Sequence, residues 1–256
     1  MKDRKPARRF RRGTYLLPSL FTVGNLFLGF WAIIKVVRGA RPAEAAPLIG
    51  WCILLDVLDG RIARLTGTSS EFGGELDSLA DVISFGVAPA ILAYSWAFSP
   101  VPRAGWLVAF LFVMCGTMRL ARFNVQRHVV DGRYFVGMPI PAAAGQVAAV
   151  VNVTPIPLRS RPEAILAVAA LATLALLMVS TLRYRSFKGV DLRARRSYIY
   201  VLLIVIPIVL IALHPEFTLV AAATLYSLSA PTAYLASLVR RKRDPPPRGL
   251  VAGAAH

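Results

Sequence analysis

Four aspartates, Asp56, Asp59, Asp77 and Asp81, lie within twenty-six residues of each other, flanked by apolar stretches such as Trp51–Leu55 and Val82–Phe85. On helices, the three-residue spacing of the first pair and the four-residue spacing of the second set each pair on one face. One Asp at mid-bilayer depth costs about 2.5–3.5 kcal/mol. Four such groups need a polar cavity near an interface, and their mutual repulsion calls for cations. A hard divalent cation such as Mg²⁺ or Mn²⁺ prefers oxygen ligands and shares them with water and phosphate. Two such ions would neutralise the carboxylates and polarise a diphosphate. The chemistry indicated is metal-assisted handling of a phosphorylated substrate. Gly60 and Gly73 lack side chains and let a ligand approach the backbone, and Arg64 offers a planar donor fork suited to phosphate. The plainer alternative is a set of helix-end aspartates paired with Arg61 and Arg64.

The elements that must hold these groups are hydrophobic helices. The chain has 256 residues, 56% of them hydrophobic, with a mean hydropathy of +0.59, yet its formal net charge is +17. A polytopic membrane protein combines these properties because its charge sits in the loops. Nucleic-acid binding is the other reading of high basicity; it fits poorly, because the basic residues flank apolar runs. Runs long enough to cross a bilayer fall near 16–37, 46–65, 75–97, 104–120, 138–154, 163–182, 197–213 and 217–239. The fold class expected is therefore all-α, an integral-membrane bundle of eight helices. Segments on the N-terminal side of this topology hold twenty-four of the thirty Lys and Arg residues. The positive-inside rule then predicts that both termini and all four aspartates face the cytoplasm, at a bacterial inner membrane.

Residues 1–15 form a basic segment, read either as an orientation signal or as a surface-lying stretch attracted to anionic lipid. Arg8–Arg12 before the first run could be a twin-arginine signal, but that run contains Asn25 and no convincing cleavage site, so it is read as an uncleaved span. Residues 16–190 form the expected catalytic core, 191–239 two further helices, and 240–256 a basic Pro-rich tail. Cys52 and Cys115 read as small core residues. His128, His214 and His256 have no zinc-ligand spacing. Trp31, Trp51, Trp96 and Trp106 fall toward outer span ends, as an interfacial belt would.

Asp56, Asp59, Gly60, Ala63, Arg64, Gly73, Asp77 and Asp81 match D-x2-D-G-x2-A-R-x8-G-x3-D-x3-D without a mismatch. In this the chain resembles the CDP-alcohol phosphotransferase family. The resemblance implies transfer from a CDP-linked lipid, CDP-diacylglycerol: a hydroxyl attacks the phosphorus bearing the lipid, and CMP leaves. It also implies that Asp56, Asp59, Asp77 and Asp81 ligate the metal and that Asp81 is the base. Gly60, Arg64, Ser70 and Gly73 would meet the nucleotide and its phosphates. Pro18-Ser19-Leu20-Phe21-Thr22 is similar to a Pro-Asn-x-x-Thr-like family element, with Ser19 in place of Asn, and adds Ser19 and Thr22 to the CDP-lipid site.

Further stretches resemble the branch of that family that uses L-serine: Asn25–Phe30, Asp77–Pro89, Arg119–Asn124, Gly137–Ala144 and Arg183–Lys188. Serine needs a guanidinium for its carboxylate and a polar acceptor for its ammonium. Arg119, Arg122, Asn124, Ser78 and Ser84 are the candidates, against plain positive-inside charge and ordinary helix-helix hydrogen bonding. Pro139 and Pro141 either kink or delay the start of the helix that follows, opening room beside the two aspartate-bearing helices, or mark an ordinary helix start. A homodimer is implied by family resemblance. The alternatives are a sibling transferase using glycerol 3-phosphate or an inositol phosphate, and a cation transporter lined by the aspartates. A transporter needs polar groups across the whole membrane, and Leu48-Ile49-Gly50-Trp51 and Ala90–Ala93 are apolar.

Overall fold

A computed structural model of the chain describes residues 16–66, 71–126, 134–185 and 213–243, together with positions 205, 209 and 210. Eight α-helices cover most of these residues: α1 (Leu16–Val37), α2 (Pro42–Thr66), α3 (Glu71–Asp81), α4 (Ala88–Ala97), α5 (Pro102–Gln126), α6 (Ile140–Val153), α7 (Arg161–Val179) and α8 (Pro215–Arg243). A π-helical turn, Val82–Val87, makes α3 and α4 one continuous rod. Seven of the eight expected runs thus have helical counterparts, and the one at 197–213 lies outside the described residues except for isolated positions. The basic segment 1–15 and the tail from residue 244 also lie outside them.

Among the described residues, five stretches are long and apolar enough to cross a membrane: Leu20–Val37, Glu71–Ala97, Pro102–Val125, Arg161–Val179 and Pro215–Ser237. This makes the chain an integral-membrane protein by its helices. α2 is equally long, but its last turns carry the first aspartate pair. α6 has only 14 residues, so it rises about 21 Å, less than the hydrocarbon thickness of about 30 Å. Its start explains the shortening. Pro139 is an extended N-cap, so Pro139 and Pro141 begin an ordinary helix and kink nothing.

Small residues set how closely these helices pack. α1 runs along α2, and α6 packs against α2 and α8. Ala45, Ala46, Ala88, Ala143, Ala144 and Ala148 are buried at such seams, where small side chains let backbones come together. At Gly29 any Cβ would collide with Ser84. Large apolar side chains point outward instead: Val23, Phe27, Phe30 and Trp31 form one exposed stripe on α1, as a lipid-facing surface requires. Trp31, Trp51 and Trp106 are exposed as a belt demands, whereas Trp96 is buried. Its indole donates to the Thr154 carbonyl at 2.7 Å, which ties α4 to the α6–α7 connection.

A short antiparallel ribbon, β1 (Tyr134–Val136) with β2 (Arg183–Arg185), pairs Phe135 with Tyr184. Gly137 follows β1 at φ +79°, a conformation that favours glycine. The Arg122 guanidinium on α5 donates to Val136 O at 3.0 Å, Val179 O at 3.2 Å and Ser180 O at 3.4 Å. It thereby joins α5, the ribbon and the end of α7. Tyr184 is fully buried and donates to Ser227 O on α8 at 3.1 Å. Burial, with Tyr226 beside it, pushes the Tyr184 phenol up to about 12, so it remains a donor at neutral pH. Gln146 on α6 donates to Thr224 at 3.1 Å and accepts from Ser227 at 3.4 Å. α8 is therefore docked on the bundle by polar contacts.

A Cβ at Gly137 would run into Met178 O and come within 2.9 Å of Arg122 Nη2. Gly137→Val should destabilise the protein by about 1–3 kcal/mol or more from backbone strain, with loss of the Arg122 contacts in addition. A clear drop in the thermal unfolding midpoint in detergent is expected; an unchanged midpoint would contradict this account.

Candidate active site

The sequence delivers carboxylates to one place from two helices. Asp56 and Asp59 occupy the last three turns of α2, and Asp77 and Asp81 the end of α3. Oxygen atoms of Asp56, Asp77 and Asp81 all lie within 4.8 Å of one another. Such a trio of hard anionic donors suits a divalent cation. Without a cation the charges would repel strongly in a low-dielectric setting. The fit is one of charge, donor type and spacing.

Asp59, expected as a fourth ligand, is placed differently. It is buried, and it accepts a hydrogen bond from the Thr22 hydroxyl on α1. The trio does not include it. Thr22, expected at the CDP-lipid site, faces this carboxylate. One helical turn further along α1, Asn25 donates through Nδ2 to Asp81 Oδ1 at 3.4 Å. Residues three apart share a helix face, so one face of α1 holds an aspartate from each of the other two helices.

Asn25 is itself held from two sides. Its backbone carbonyl accepts from Ser84 Oγ at 3.0 Å and from Cys52 Sγ at 3.5 Å. Ser84 sits within the π turn that begins immediately after Asp81. Such turns insert an extra residue into the helical repeat and recur at functional sites. Here the turn lets Asp81 and Ser84 both address α1. Ser84, a candidate for contacting serine, is fully buried and engaged with Asn25.

The α5 side of the cluster carries Arg119, Arg122 and Asn124. Asn124 donates to Ser78 Oγ at 2.9 Å, and Ser78 donates in turn to Gly74 O at 2.9 Å. Arg119 is buried, stands 5.7 Å from the centre of the Phe123 ring, and lies in the field of Asp81 and Asp56. Arg122, with its three carbonyl acceptors, serves the loop junction described above. Among the described residues, three buried side-chain atoms have no hydrogen-bond partner: Asn25 Oδ1, Arg119 Nε and Asn124 Oδ1. Each unmet buried group costs about 1–3 kcal/mol, and all three belong to residues bordering the carboxylates.

The expected nucleotide-side residues are less fully visible. Gly60 and Gly73 are half-buried on α2 and α3. Ser19 and Arg64 lie on α1 and α2, but their side chains are outside the described residues, as is all of Ser70. Asn25 is the residue whose part the motif reading missed. A signal was present: a buried amide in a membrane helix, in phase with Thr22, is costly unless it has a partner.

Apolar helices long enough to cross a membrane converge here on three carboxylates, one buried and two half-buried, in the donor pattern of a divalent-metal site. Residues 15–182 match the sequence profile of the CDP-alcohol phosphatidyltransferase family, and the chain belongs to that family. It is 43% identical over 178 residues to the CDP-diacylglycerol–serine O-phosphatidyltransferase of Helicobacter pylori, covering 69% of this chain and 74% of that one. The Bacillus subtilis enzyme of the same name is 36% identical over 172 residues, covering 67% and 91%. The archaetidylserine synthase of Methanothermobacter thermautotrophicus is 38% identical over 175 residues, covering 68% and 71%.

The geometry separates the four aspartates by position, three grouped and Asp59 apart. Asp56→Asn, Asp77→Asn and Asp81→Asn should each weaken Mn²⁺ binding by about tenfold or more, and Asp59→Asn by less. Mn²⁺ titration of the purified protein, followed by electron paramagnetic resonance, checks this. Equal losses in all four variants would place Asp59 among the ligands.

Proposed function

We propose that the protein transfers the phosphatidyl group from CDP-diacylglycerol to the hydroxyl of L-serine, giving phosphatidylserine and CMP. The observation that carries this reading is the convergence of Asp56, Asp77 and Asp81 beside a buried guanidinium, in a chain whose relatives are named for serine transfer. Asp56, Asp77 and Asp81 would hold Mg²⁺ or Mn²⁺, with Asp59 available to a second ion. When bound, such ions neutralise the diphosphate and polarise the phosphoryl group under attack.

The chain's own residues do the rest. Asp81 accepts the proton of the serine hydroxyl as the new O–P bond forms and the P–O bond to CMP breaks. A carboxylate is a weak base for an alcohol hydroxyl, so Asp81 takes the proton late in the step. Asn25 holds one oxygen of Asp81 in place and so orients the carboxylate. Gly60 and Gly73 give the nucleotide access to the helix backbones, Thr22 keeps Asp59 in place, and Arg64, Ser70 and Ser19 are the residues the family motif assigns to the nucleotide and its phosphates.

A sibling reaction with glycerol 3-phosphate or an inositol phosphate would call for clustered cations to bind the acceptor's phosphate. The basic stretch 183–196 keeps that alternative in view. Among the described residues of α5, Arg122 is engaged with three carbonyls and Arg119 is left toward the aspartates, which favours the carboxylate of an amino acid. Cation transport is disfavoured by buried Ile49, Ala90 and Leu92 toward the far ends of α2 and α4. The charge bias of the loops supports an inner-membrane protein with its site facing the cytoplasm. We also propose a homodimer, for which the alanine-rich α7 offers a face.

Acceptor competition tests the reaction. With CDP-diacylglycerol and Mg²⁺ or Mn²⁺, serine should be incorporated and CMP released, with glycerol 3-phosphate and inositol phosphate left unused. Excess chelator should stop turnover. Asp81→Asn should lower kcat by about 10²–10⁴-fold while CDP-diacylglycerol still binds. Serine left out of the lipid product would overturn the reading.

A further inference from the structure

We infer that Asn25 on α1 and Arg119 on α5 read the two charges of the amino-acid acceptor from either side of Asp81. The amide oxygen of Asn25 takes the ammonium, and the Arg119 guanidinium takes the carboxylate. This rests on the serine reading above and adds a residue on α1 to the acceptor site.

The argument begins with unmet hydrogen-bonding capacity. Asn25 is 1% exposed and Arg119 7% exposed, yet Asn25 Oδ1 and Arg119 Nε have no partner. Native proteins keep few such atoms without a reason. The orientation of the Asn25 amide follows from its neighbour: Asp81 accepts, so the nitrogen must face it. A flipped amide would set two acceptors together. Ser84 and Cys52 hold the adjoining backbone carbonyl, so α1 is not free to turn the oxygen toward another donor.

Arg119 supplies the opposite sign. Its guanidinium lies in the field of Asp81 and Asp56 and rests on Phe123. Of the other candidates, Arg122 is engaged by three carbonyls, Ser84 by Asn25, and Ser78 by Gly74 and Asn124. Asn124 Oδ1 is also without a partner, but its amide is tied to Ser78, whereas the Asn25 amide is bonded to Asp81 itself. The site therefore offers an acceptor atom on one helix, a cation on another, and a carboxylate base on the helix between them in sequence. L-Serine bears an ammonium and a carboxylate on the carbon next to its hydroxymethyl group. Fixing both charges delivers the hydroxyl toward Asp81.

The test uses purified full-length protein, CDP-diacylglycerol and Mn²⁺ with three acceptors: L-serine, 3-hydroxypropanoate (no ammonium) and ethanolamine (no carboxylate). Asn25→Leu should raise the KM for serine about tenfold and narrow the serine to 3-hydroxypropanoate ratio of kcat/KM by a similar factor. The serine to ethanolamine ratio should hold. Arg119→Gln should do the reverse. Asn25→Ser, read by the same ratio, serves if Asn25→Leu no longer binds CDP-diacylglycerol. Variants that lower all three kcat/KM values together, with the ratios unmoved, would overturn the assignment and leave the serine reading intact. A wild-type protein that makes no phosphatidylserine would instead remove that reading itself.

Discussion

Keeping three carboxylates close together inside apolar helices is the constraint around which this molecule is built. Their mutual repulsion grows as water is excluded, so each must be held at a fixed distance from the others and from any cation they share. α1 does much of that holding. Thr22 secures Asp59 and Asn25 secures Asp81, one turn apart on one face. The small residues of that face serve the same end. Gly29 admits the π turn that follows Asp81, and the turn brings Ser84 back to brace Asn25.

A second region fixes the opposite wall. Arg122, Gly137 and the β1–β2 ribbon lock the ends of α5 and α7 together, so Arg119 and Asn124, on neighbouring turns of α5, project from a rigid base. Arg122, one of the two arginines expected near serine, donates to three backbone carbonyls. A guanidinium with five donors can satisfy several loop carbonyls at once, and a loop beside a membrane interface has many to satisfy.

The helical class and the aspartate motif were legible in the sequence because both rest on local rules: apolar length for the first, three- and four-residue spacing for the second. The division among the aspartates was not. Whether Asp59 joins its neighbours depends on which α1 side chain lies opposite, and that is set by how α1 packs on α2. The π turn was equally invisible, since Val82–Val87 has an ordinary helical composition. Asn25 stood in a recognised stretch, yet its role appears only when α1 and α3 are brought together. The placement of Trp96 and the anchoring of α8 likewise depend on contacts between segments distant in sequence.

The seam between α8 and the rest of the bundle carries a consequence for where the folding unit ends. The family-matched stretch stops at residue 182, but the Tyr184 phenol and the Gln146 amide find their partners on α8. Cut away that helix and both polar groups would lose these partners, and the buried faces around them would be uncovered. The minimal autonomous unit is therefore larger than the homologous segment, and its last helix belongs to the structural framework of the enzyme.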